Sequence, residues 1–228
     1  MQTRSCLHKL ANRINWNKYN PSIPYEEGDP MDDQKLLQFY LNMREPEAYQ
    51  WNMSPKSLYL EMETRDFLLR QFEAAPGMKA CNIGIGVGEW DDYLGYFLQG
   101  NGQLTSIDID PGICESFSYR QKREGHPNPS AVRCDDFLTC PLPSMEYDLV
   151  TMIGSALNEI GAYRKTFTAI SAMLKPGGHL MYMDMVKYHR KEELLDILGE
   201  LKWRLETIEE YDRYPSIRFY CMKLARLE

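Results

Sequence analysis

The sequence lacks several features that would place it in a familiar class of protein. None of its apolar runs approaches the ~20 uninterrupted residues of a membrane-spanning helix. Its first residues, MQTRSCLHKLANRINW, lack the continuous apolar segment of a secretory signal. The chain contains no internal repeat and no low-complexity tract. The lack of a membrane-spanning run and of a secretory signal favours a cytoplasmic protein.

Cysteine spacing typical of a metal site is also missing. The six cysteines form neither a Cys-x-x-Cys pair nor a cluster with histidine. Several have apolar neighbours, where a reduced thiol packs like a small hydrophobic side chain. We therefore expect structural cysteines and no bound metal. The cysteines are Cys6, Cys81, Cys114, Cys134, Cys140 and Cys221.

Excess positive charge is absent from the chain as a whole. The formal net charge is −7, whereas binding to a phosphate backbone requires clustered cations. Residues 1–25 are an exception, because Arg4, Lys9, Arg13 and Lys18 occur there without an acid. A solvated basic tail is the favoured interpretation, with a docking face as the alternative. We expect a small-molecule partner, no nucleic acid and no membrane, and a monomer or homodimer.

The texture of the sequence changes near residue 55. Residues 1–55 are irregular and rich in proline and aromatic residues, which predicts a partly helical N-terminal extension or lid. Residues 56–228 alternate strand-sized apolar runs with amphipathic segments, the pattern of an α/β domain with parallel strands. The runs lie at 78–83, 103–108, 130–134, 147–153 and 178–185.

Helical spacing and a terminal hairpin complete this pattern. Apolar residues recur every three or four positions at 158–174 and 190–202, and a further helix is expected at 56–73. The helix at 158–174 should stop at Lys-Pro-Gly-Gly, residues 175–178. Strands at 204–210 and 216–225 are joined by so short a turn that they must be antiparallel.

A glycine-rich loop follows the first predicted strand. It reads Asn82-Ile-Gly84-Ile-Gly86-Val-Gly88-Glu89 and precedes a helix. Glycines allow a tight turn and the close approach of a ligand. Dinucleotide-binding loops have the spacing G-x-G-x-x-G, which would place a glycine where this chain has Glu89. Since that carboxylate would repel phosphates, S-adenosylmethionine is favoured over a nicotinamide cofactor.

Acidic residues follow the next two strands. Asp110 precedes Pro111 and is expected to cap the following helix. Asp108, with Ile109 beside it, is expected to bind the ribose hydroxyls of an adenosine group. Asp135 and Asp136 with Phe137 form the expected adenine site.

The turn after the fourth strand contains Ile153 and Gly154. Ligands of parallel α/β sheets bind outside the carboxyl ends of the strands. We therefore expect Ile153 and Gly154 to border the cofactor near its reacting methyl group.

These motifs, in this order, resemble those of the class I S-adenosylmethionine-dependent methyltransferases over residues 57–228. The resemblance implies a seven-stranded Rossmann-like sheet of order 3-2-1-4-5-7-6, with strand 7 antiparallel and helices on both faces. It implies that Gly84, Gly86 and Gly88 flank the methionine part of the cofactor, and it supports the expected ribose and adenine sites. Asn82 departs from the pattern, because the family usually has Asp or Glu there.

The acceptor side is less well defined by the sequence. Methyl transfer chiefly requires alignment and exclusion of water. Asn158 and Glu159 are the candidate catalytic residues, and Asp184, Tyr188 and His189, at the end of the fifth strand and after it, are further candidates near the expected methyl group. A helix-dipole role for Glu159 is the alternative. Tyr49, Trp51 and Tyr188 are the candidate substrate-binding residues.

The expected function is methylation of a nitrogen or oxygen atom of a small molecule. Specialised metabolism is one context in which such a reaction is expected. Two alternatives use the same cofactor. One is transfer of its aminopropyl or aminocarboxypropyl group, and the other is a non-catalytic module that only binds it.

Overall fold

The structure is a computed structural model that describes residues 30–36, 54–98 and 100–226. A seven-stranded sheet with helices on both sides fills most of this part of the chain. The strands are β1 (Lys79–Ile83), β2 (Gln103–Asp108), β3 (Ala131–Cys134), β4 (Tyr147–Ile153), β5 (Leu174–Met185), β6 (Trp203–Tyr214) and β7 (Ile217–Arg226). The helices are α1 (Pro55–Gln71), α2 (Glu89–Phe97), α3 (Pro111–Glu124), α4 (Ala156–Ile160), α5 (Tyr163–Met173) and α6 (Lys191–Glu200).

The order of the strands confirms the prediction. It is β3-β2-β1-β4-β5-β7-β6. Strands β1 to β5 pair in parallel, and β7 is antiparallel to both β5 and β6. The link between β6 and β7 is only two residues long, Pro215 and Ser216. The α/β Rossmann-like fold with a terminal hairpin is therefore confirmed.

The predicted end of the helix before residues 175–178 agrees with the structure, but the predicted start of the fifth strand at residue 178 was wrong, because β5 begins at Leu174 and includes these residues. Leu174 already pairs with Tyr147, and the register shifts before the regular pairing of Leu149 with His179. Gly177, with φ +77, accommodates this irregularity. The helix itself ends at Met173, so proline and glycine here shape the start of a strand instead of a turn.

The single helix predicted over residues 158–174 was also wrong. The structure has two helices, α4 and α5, separated by Gly161 and Ala162. Gly161 caps α4 in the left-handed conformation, with φ +67, and its N–H donates to the Leu157 carbonyl. Apolar residues on both sides of this break keep a helical spacing, and the spacing therefore concealed it.

The start of α3 agrees with the expected cap. The Asp110 carboxylate accepts a hydrogen bond of 3.0 Å from the N–H of Ile113, and Pro111 occupies the first helical position. Gly125 ends the helix in the left-handed conformation. Asp110 therefore fixes the point where the chain turns from β2 into α3.

Two hydrophobic cores lie on opposite faces of the sheet. Successive residues of β5 enter different cores, because side chains alternate along a strand. Met183 packs with Phe67 of α1 and Leu94 of α2. Tyr182 packs with Phe167 of α5 and Leu194 of α6. Helices α1 and α2 thus cover one face of the sheet, and α5 and α6 cover the other.

Residues 30–36 are the described part of the predicted N-terminal extension. Asp33 accepts a hydrogen bond of 2.6 Å from the Tyr119 hydroxyl and forms an ion pair with Arg123. The N–H of Met31 donates to Glu115, also on α3. This segment therefore contacts the outer side of α3. The proposed boundary between residues 55 and 56 stays a prediction.

Candidate active site

The glycine-rich loop connects β1 to α2 at the carboxyl edge of the sheet. Gly84, Gly86 and Gly88 all have positive φ, at +87, +55 and +79. Gly88 is also the N-cap of α2, and a Cβ there would lie 2.4 Å from the Phe117 ring. The third glycine is thus required by packing as well as by backbone conformation.

Asp108, at the end of β2, reaches back to this loop. Its Oδ2 accepts hydrogen bonds from the N–H groups of Ile85 (2.8 Å) and Gly86 (3.3 Å). Its Oδ1 accepts one from the N–H of Asp110 at 3.0 Å. An ionised carboxylate has about four acceptor positions. Oδ1 can therefore accept a further hydrogen bond from a hydroxyl group. Oδ2 can accept one from a second hydroxyl group in place of the longer bond from Gly86.

A cavity of about 340 Å³, here called cavity A, opens beside Asp108. Phe137 is buried in its wall, whereas Ile109 is 70% exposed at its rim. Its lining combines apolar walls with carboxylates, which suits the base and ribose of a nucleoside. The lining residues are Ile83, Gly84, Ile107, Asp108, Ile109, Asp135, Asp136, Phe137, Leu138, Ala156, Glu159 and Ile160.

A second cavity of about 520 Å³, cavity B, lies on the other side of the loop. Helix α1, the start of α2 and the ends of β4 and β5 form its walls. Ile153 and Gly154 line it, as does Tyr188. The remaining lining residues are Ser57, Leu60, Glu61, Thr64, Arg65, Val87, Glu89, Trp90, Ser155, Met183, Met185 and Lys187.

Arg65 is the cation on the α1 side of cavity B. Its guanidinium lies 4.7 Å from the centre of the Tyr93 ring and forms an ion pair with Glu61. Its Nε is buried without a hydrogen-bond partner within the described structure. A buried donor without an acceptor is costly, so Arg65 is prepared to bind an anionic group. The sequence carried no motif that marked this residue.

Asn82 lines neither cavity, because its side chain points beneath the loop and is 1% exposed. Its Nδ2 donates to the Gly84 carbonyl at 2.9 Å and to both carboxylate oxygens of Asp91 at 3.0 Å. Its Oδ1 accepts from the Thr151 hydroxyl at 2.8 Å. In this structure Asn82 supports the loop from below.

Asp91 is fully buried on α2. It accepts a hydrogen bond of 2.5 Å from the Ser106 hydroxyl in addition to those from Asn82. Burial raises the pKa of its carboxyl from 3.8 to about 7, although these hydrogen bonds oppose the shift. Asp91 lies in the first turn of α2 with Glu89 and Asp92, and the sequence offered no sign of its burial.

The raised pKa of Asp91 predicts a specific dependence of stability on pH. The folded protein binds this proton more tightly than the unfolded chain, so the free energy of unfolding falls as the pH rises from about 4 to about 7. Between pH 5 and 8 the wild type should lose up to about 3 kcal/mol more than Asp91→Asn. Urea unfolding of both proteins measures this difference. Equal losses would contradict the raised pKa.

The predicted catalytic residues lie on α4, away from cavity B. Asn158 is exposed and lines neither cavity. Glu159 lines cavity A and accepts a hydrogen bond of 2.5 Å from the Ser155 hydroxyl. Of the predicted substrate-binding residues, Tyr188 lines cavity B, and Tyr49 and Trp51 lie outside the described residues. All these roles stay predictions.

Asp184 and His189 form a buried pair. His189 Nδ1 lies 2.5 Å from Asp184 Oδ2, which also accepts a hydrogen bond of 2.5 Å from the Tyr182 hydroxyl. Burial raises the pKa of the Asp184 carboxyl. Neither Asp184 nor His189 lines cavity A or cavity B. The pair fixes the turn after β5 that carries Tyr188.

Within residues 30–36, 54–98 and 100–226, no group of three or more His, Cys, Asp and Glu side chains has the arrangement of a metal site. No helix there is both long enough and apolar enough to cross a membrane.

A family model described as "Methyltransferase domain" matches residues 80–178. The matched stretch contains the glycine loop, Asp108 and the segment from Asp135 to Phe137. Residues 80–178 therefore match a methyltransferase domain, and this match and the order of the strands support the class I S-adenosylmethionine-dependent methyltransferase family predicted from the sequence.

A curated relative of this chain is the demethylmenaquinone methyltransferase of Staphylococcus aureus (strain MRSA252). It is 26% identical over 120 residues, which cover 53% of this chain and 48% of the relative. The chain thus spans about half the length of the curated relatives that it matches.

Solved structures share its fold at lower identity. A SAM-dependent methyltransferase from Aquifex aeolicus has a TM-score of 0.62 and 16% identity, over 85% of this chain and 98% of that one. The [4+2]-cyclase SpnF has a TM-score of 0.60 and 16% identity, over 71% and 79%. At such identities the likeness concerns the fold alone.

Proposed function

We propose that this methyltransferase transfers the methyl group of S-adenosylmethionine to a nitrogen or oxygen atom of a small molecule. The observation that carries the proposal is the position of the glycine loop between cavities A and B. Strand-end carboxylates line cavity A, and cavity B is lined by Arg65, whose Nε has no hydrogen-bond partner among the described residues. A ligand with a nucleoside at one end and an amino acid at the other matches this distribution.

The residues of cavity A fit an adenosine group. Asp108 would accept hydrogen bonds from the ribose hydroxyls, and Asp135 or Asp136 would accept one from the adenine amino group. Phe137 supplies an apolar surface for the base, and Ile109 covers it from the rim. These assignments follow the predicted cofactor-binding residues Asp108, Ile109, Asp135, Asp136 and Phe137. The predicted residues Asn82, Gly86 and Gly88 line neither cavity.

The residues at the junction with cavity B fit the methionine part. Arg65 would bind its carboxylate with the Nε that has no protein acceptor. Gly84 and Gly154 leave room for the sulfur and methyl group near the ends of β1 and β4. When bound, the cofactor supplies a methyl group on a sulfonium, which is already a good leaving group.

The rest of cavity B would hold the acceptor. Its walls include the side chains of Ile153, Met183, Met185 and Trp90, and Tyr188 closes it near the turn after β5. These side chains exclude water from the path of the methyl group and align the acceptor, which are the main requirements of this displacement. The predicted cytoplasmic location and the state as a monomer or homodimer stay predictions.

Arg65→Gln is expected to weaken the binding of S-adenosylmethionine about tenfold, because the carboxylate loses a charged donor. Decarboxylated S-adenosylmethionine should bind both proteins equally. Arg70→Gln, on the same helix but paired with Asp66 and Glu209, serves as the control. Calorimetric titration measures all three proteins. Equal weakening of both ligands by Arg65→Gln would show that Arg65 does not bind the carboxylate.

Methyl transfer itself is tested by the mass of the product formed from a panel of small amines, phenols and carboxylic acids. A mass increase of one methyl group supports the proposal, whereas a larger group would indicate aminopropyl or aminocarboxypropyl transfer. This distinction is needed because SpnF, named as a cyclase, has the same fold. Tight binding of the cofactor with no product from any acceptor would favour the non-catalytic module.

A further inference from the structure

A buried network of polar side chains lies between the glycine loop and the sheet. Asp91 on α2, Asn82 on β1, Ser106 on β2 and Thr151 on β4 are each no more than 1% exposed. The network extends to Trp90, whose Nε1 donates to the Thr151 hydroxyl at 3.1 Å. A fully connected network of this kind fixes the positions of its members.

The hydrogen bonds of Asn82 leave no choice in the orientation of its amide. One Nδ2 hydrogen is used by the Gly84 carbonyl, and the other faces both oxygens of the Asp91 carboxylate. The Thr151 hydroxyl donates to Oδ1. An acid in place of Asn82 would set its oxygens against the Asp91 carboxylate and the Gly84 carbonyl. Acids at positions 82 and 91 therefore exclude each other.

We propose that Asp91, acting through Asn82, is the positioning residue of the cofactor loop, and supplies from α2 the buried acid that the family usually has at position 82. This inference rests on the proposed binding of S-adenosylmethionine. Asp91 holds the amide of Asn82, and that amide holds the Gly84 carbonyl at the wall of cavity A. Through Thr151 the same network orients Trp90 in the wall of cavity B.

The ionisation of Asp91 is important to this role. Both of its oxygens face donors, so a proton on either one removes a hydrogen bond from Asn82 or Ser106. Its titratable neighbours are Asp92 on α2 and Cys81 on β1, and Asp92 is ion-paired with Arg120 of α3. Support of the loop should therefore weaken as the pH falls below neutral.

The test compares Asn82→Asp, Asp91→Asn and the double variant in calorimetric titrations with S-adenosylhomocysteine at pH 8. Each single variant should bind about tenfold more weakly, because Asn82→Asp sets two carboxylates against each other and Asp91→Asn takes an acceptor away from the Asn82 amide. The double variant again pairs one acid with one amide and should bind more tightly than Asn82→Asp, but it lacks the donor to the Gly84 carbonyl and should not regain the wild-type affinity. Asp92→Asn, the same change one residue later, should bind like the wild type.

Two further measurements separate this positioning role from a general loss of structure. The urea midpoint of Asp91→Asn at pH 8 should not fall, because the variant no longer buries a charge. The affinity of the wild type should decrease from pH 8 to pH 6 more than that of Asp91→Asn, which shares every other ionisable group with the wild type. Ser106→Ala removes a donor to Asp91 and should shift the midpoint of the wild-type profile to higher pH.

The outcomes distinguish the two proposals. A wild type that fails to bind S-adenosylhomocysteine contradicts the proposed function. A wild type that binds it, with an equally tight Asp91→Asn variant and identical pH profiles, contradicts only the role of Asp91. If the double variant binds S-adenosylhomocysteine no more tightly than the weaker of the two single variants, the proposal that Asp91 supplies the acid usually found at position 82 is also contradicted. If Asp91→Asn does not fold, Ser106→Ala provides the test. A pH dependence of affinity in Ser106→Ala equal to that of the wild type then contradicts the inference.

Discussion

Asp108→Ala is expected to weaken the binding of S-adenosylmethionine about 100-fold, because hydrogen bonds to a charged acceptor contribute about 1.5 to 3 kcal/mol each. The carboxylate has two tasks in this structure. It binds the N–H groups of Ile85 and Gly86, which keeps the loop in place, and it faces cavity A, where the ribose would lie. Calorimetric titration measures the combined loss.

A cofactor analogue without ribose hydroxyls separates these two tasks. The wild type should lose most of its affinity for the 2′,3′-dideoxy form of S-adenosylhomocysteine, whereas Asp108→Ala should bind both forms equally. Asp110→Ala is the matched control, since it removes only the cap of α3 at a cost of about 1 kcal/mol in stability. Unchanged discrimination in Asp108→Ala would mean that another group binds the ribose.

Gly88→Ala is expected to lower the free energy of unfolding by about 3 kcal/mol. The positive φ of +79 contributes about 1 to 2 kcal/mol for any residue with a Cβ. The new Cβ would also lie 2.4 Å from Phe117, which is only 2% exposed and has little space to move. Overpacking of this kind adds about 1 to 3 kcal/mol.

Gly86→Ala isolates the packing contribution. Gly86 belongs to the same loop and has φ +55, but nothing lies within 4 Å of its added Cβ. The stability of this variant should fall by only about 1 to 2 kcal/mol. Urea unfolding of both variants gives the comparison. Equal losses would show that the loop moves away from Phe117 at no cost.

The fold could be predicted from the sequence wherever the local pattern and the tertiary environment agree. Strand β4 has the predicted bounds, and β1 and β3 differ from them by one residue. The break at Gly161 could not be predicted from spacing, since Ile160 and Tyr163 on its two sides both pack against the same core. The early start of β5 depends on pairing with Tyr147, which a single segment does not reveal.

The candidate site, too, could be predicted from the sequence only in part. The residues that line cavity A follow the ends of strands, and the chain order of the motifs therefore identified most of them. Cavity B is formed by side chains from α1, α2 and the turn after β5, which only the fold brings together. Arg65 and Lys187 belong to no motif. The burial of Asp91 depends on the packing of α2 against β2, which its sequence neighbours do not indicate.

The position of β7 has a consequence for how the sheet is assembled and protected. Among the described strands, β6 pairs only with β7, which lies between it and β5 although it follows both in the chain. Strand β6 can therefore join the sheet only together with or after β7, the last of these strands in the chain, which delays completion of the sheet during folding. Afterwards the exposed edges are the four-residue β3 and the charge-rich β6. A short edge and a charged edge both discourage pairing with another sheet, so the molecule is protected against edge-to-edge aggregation.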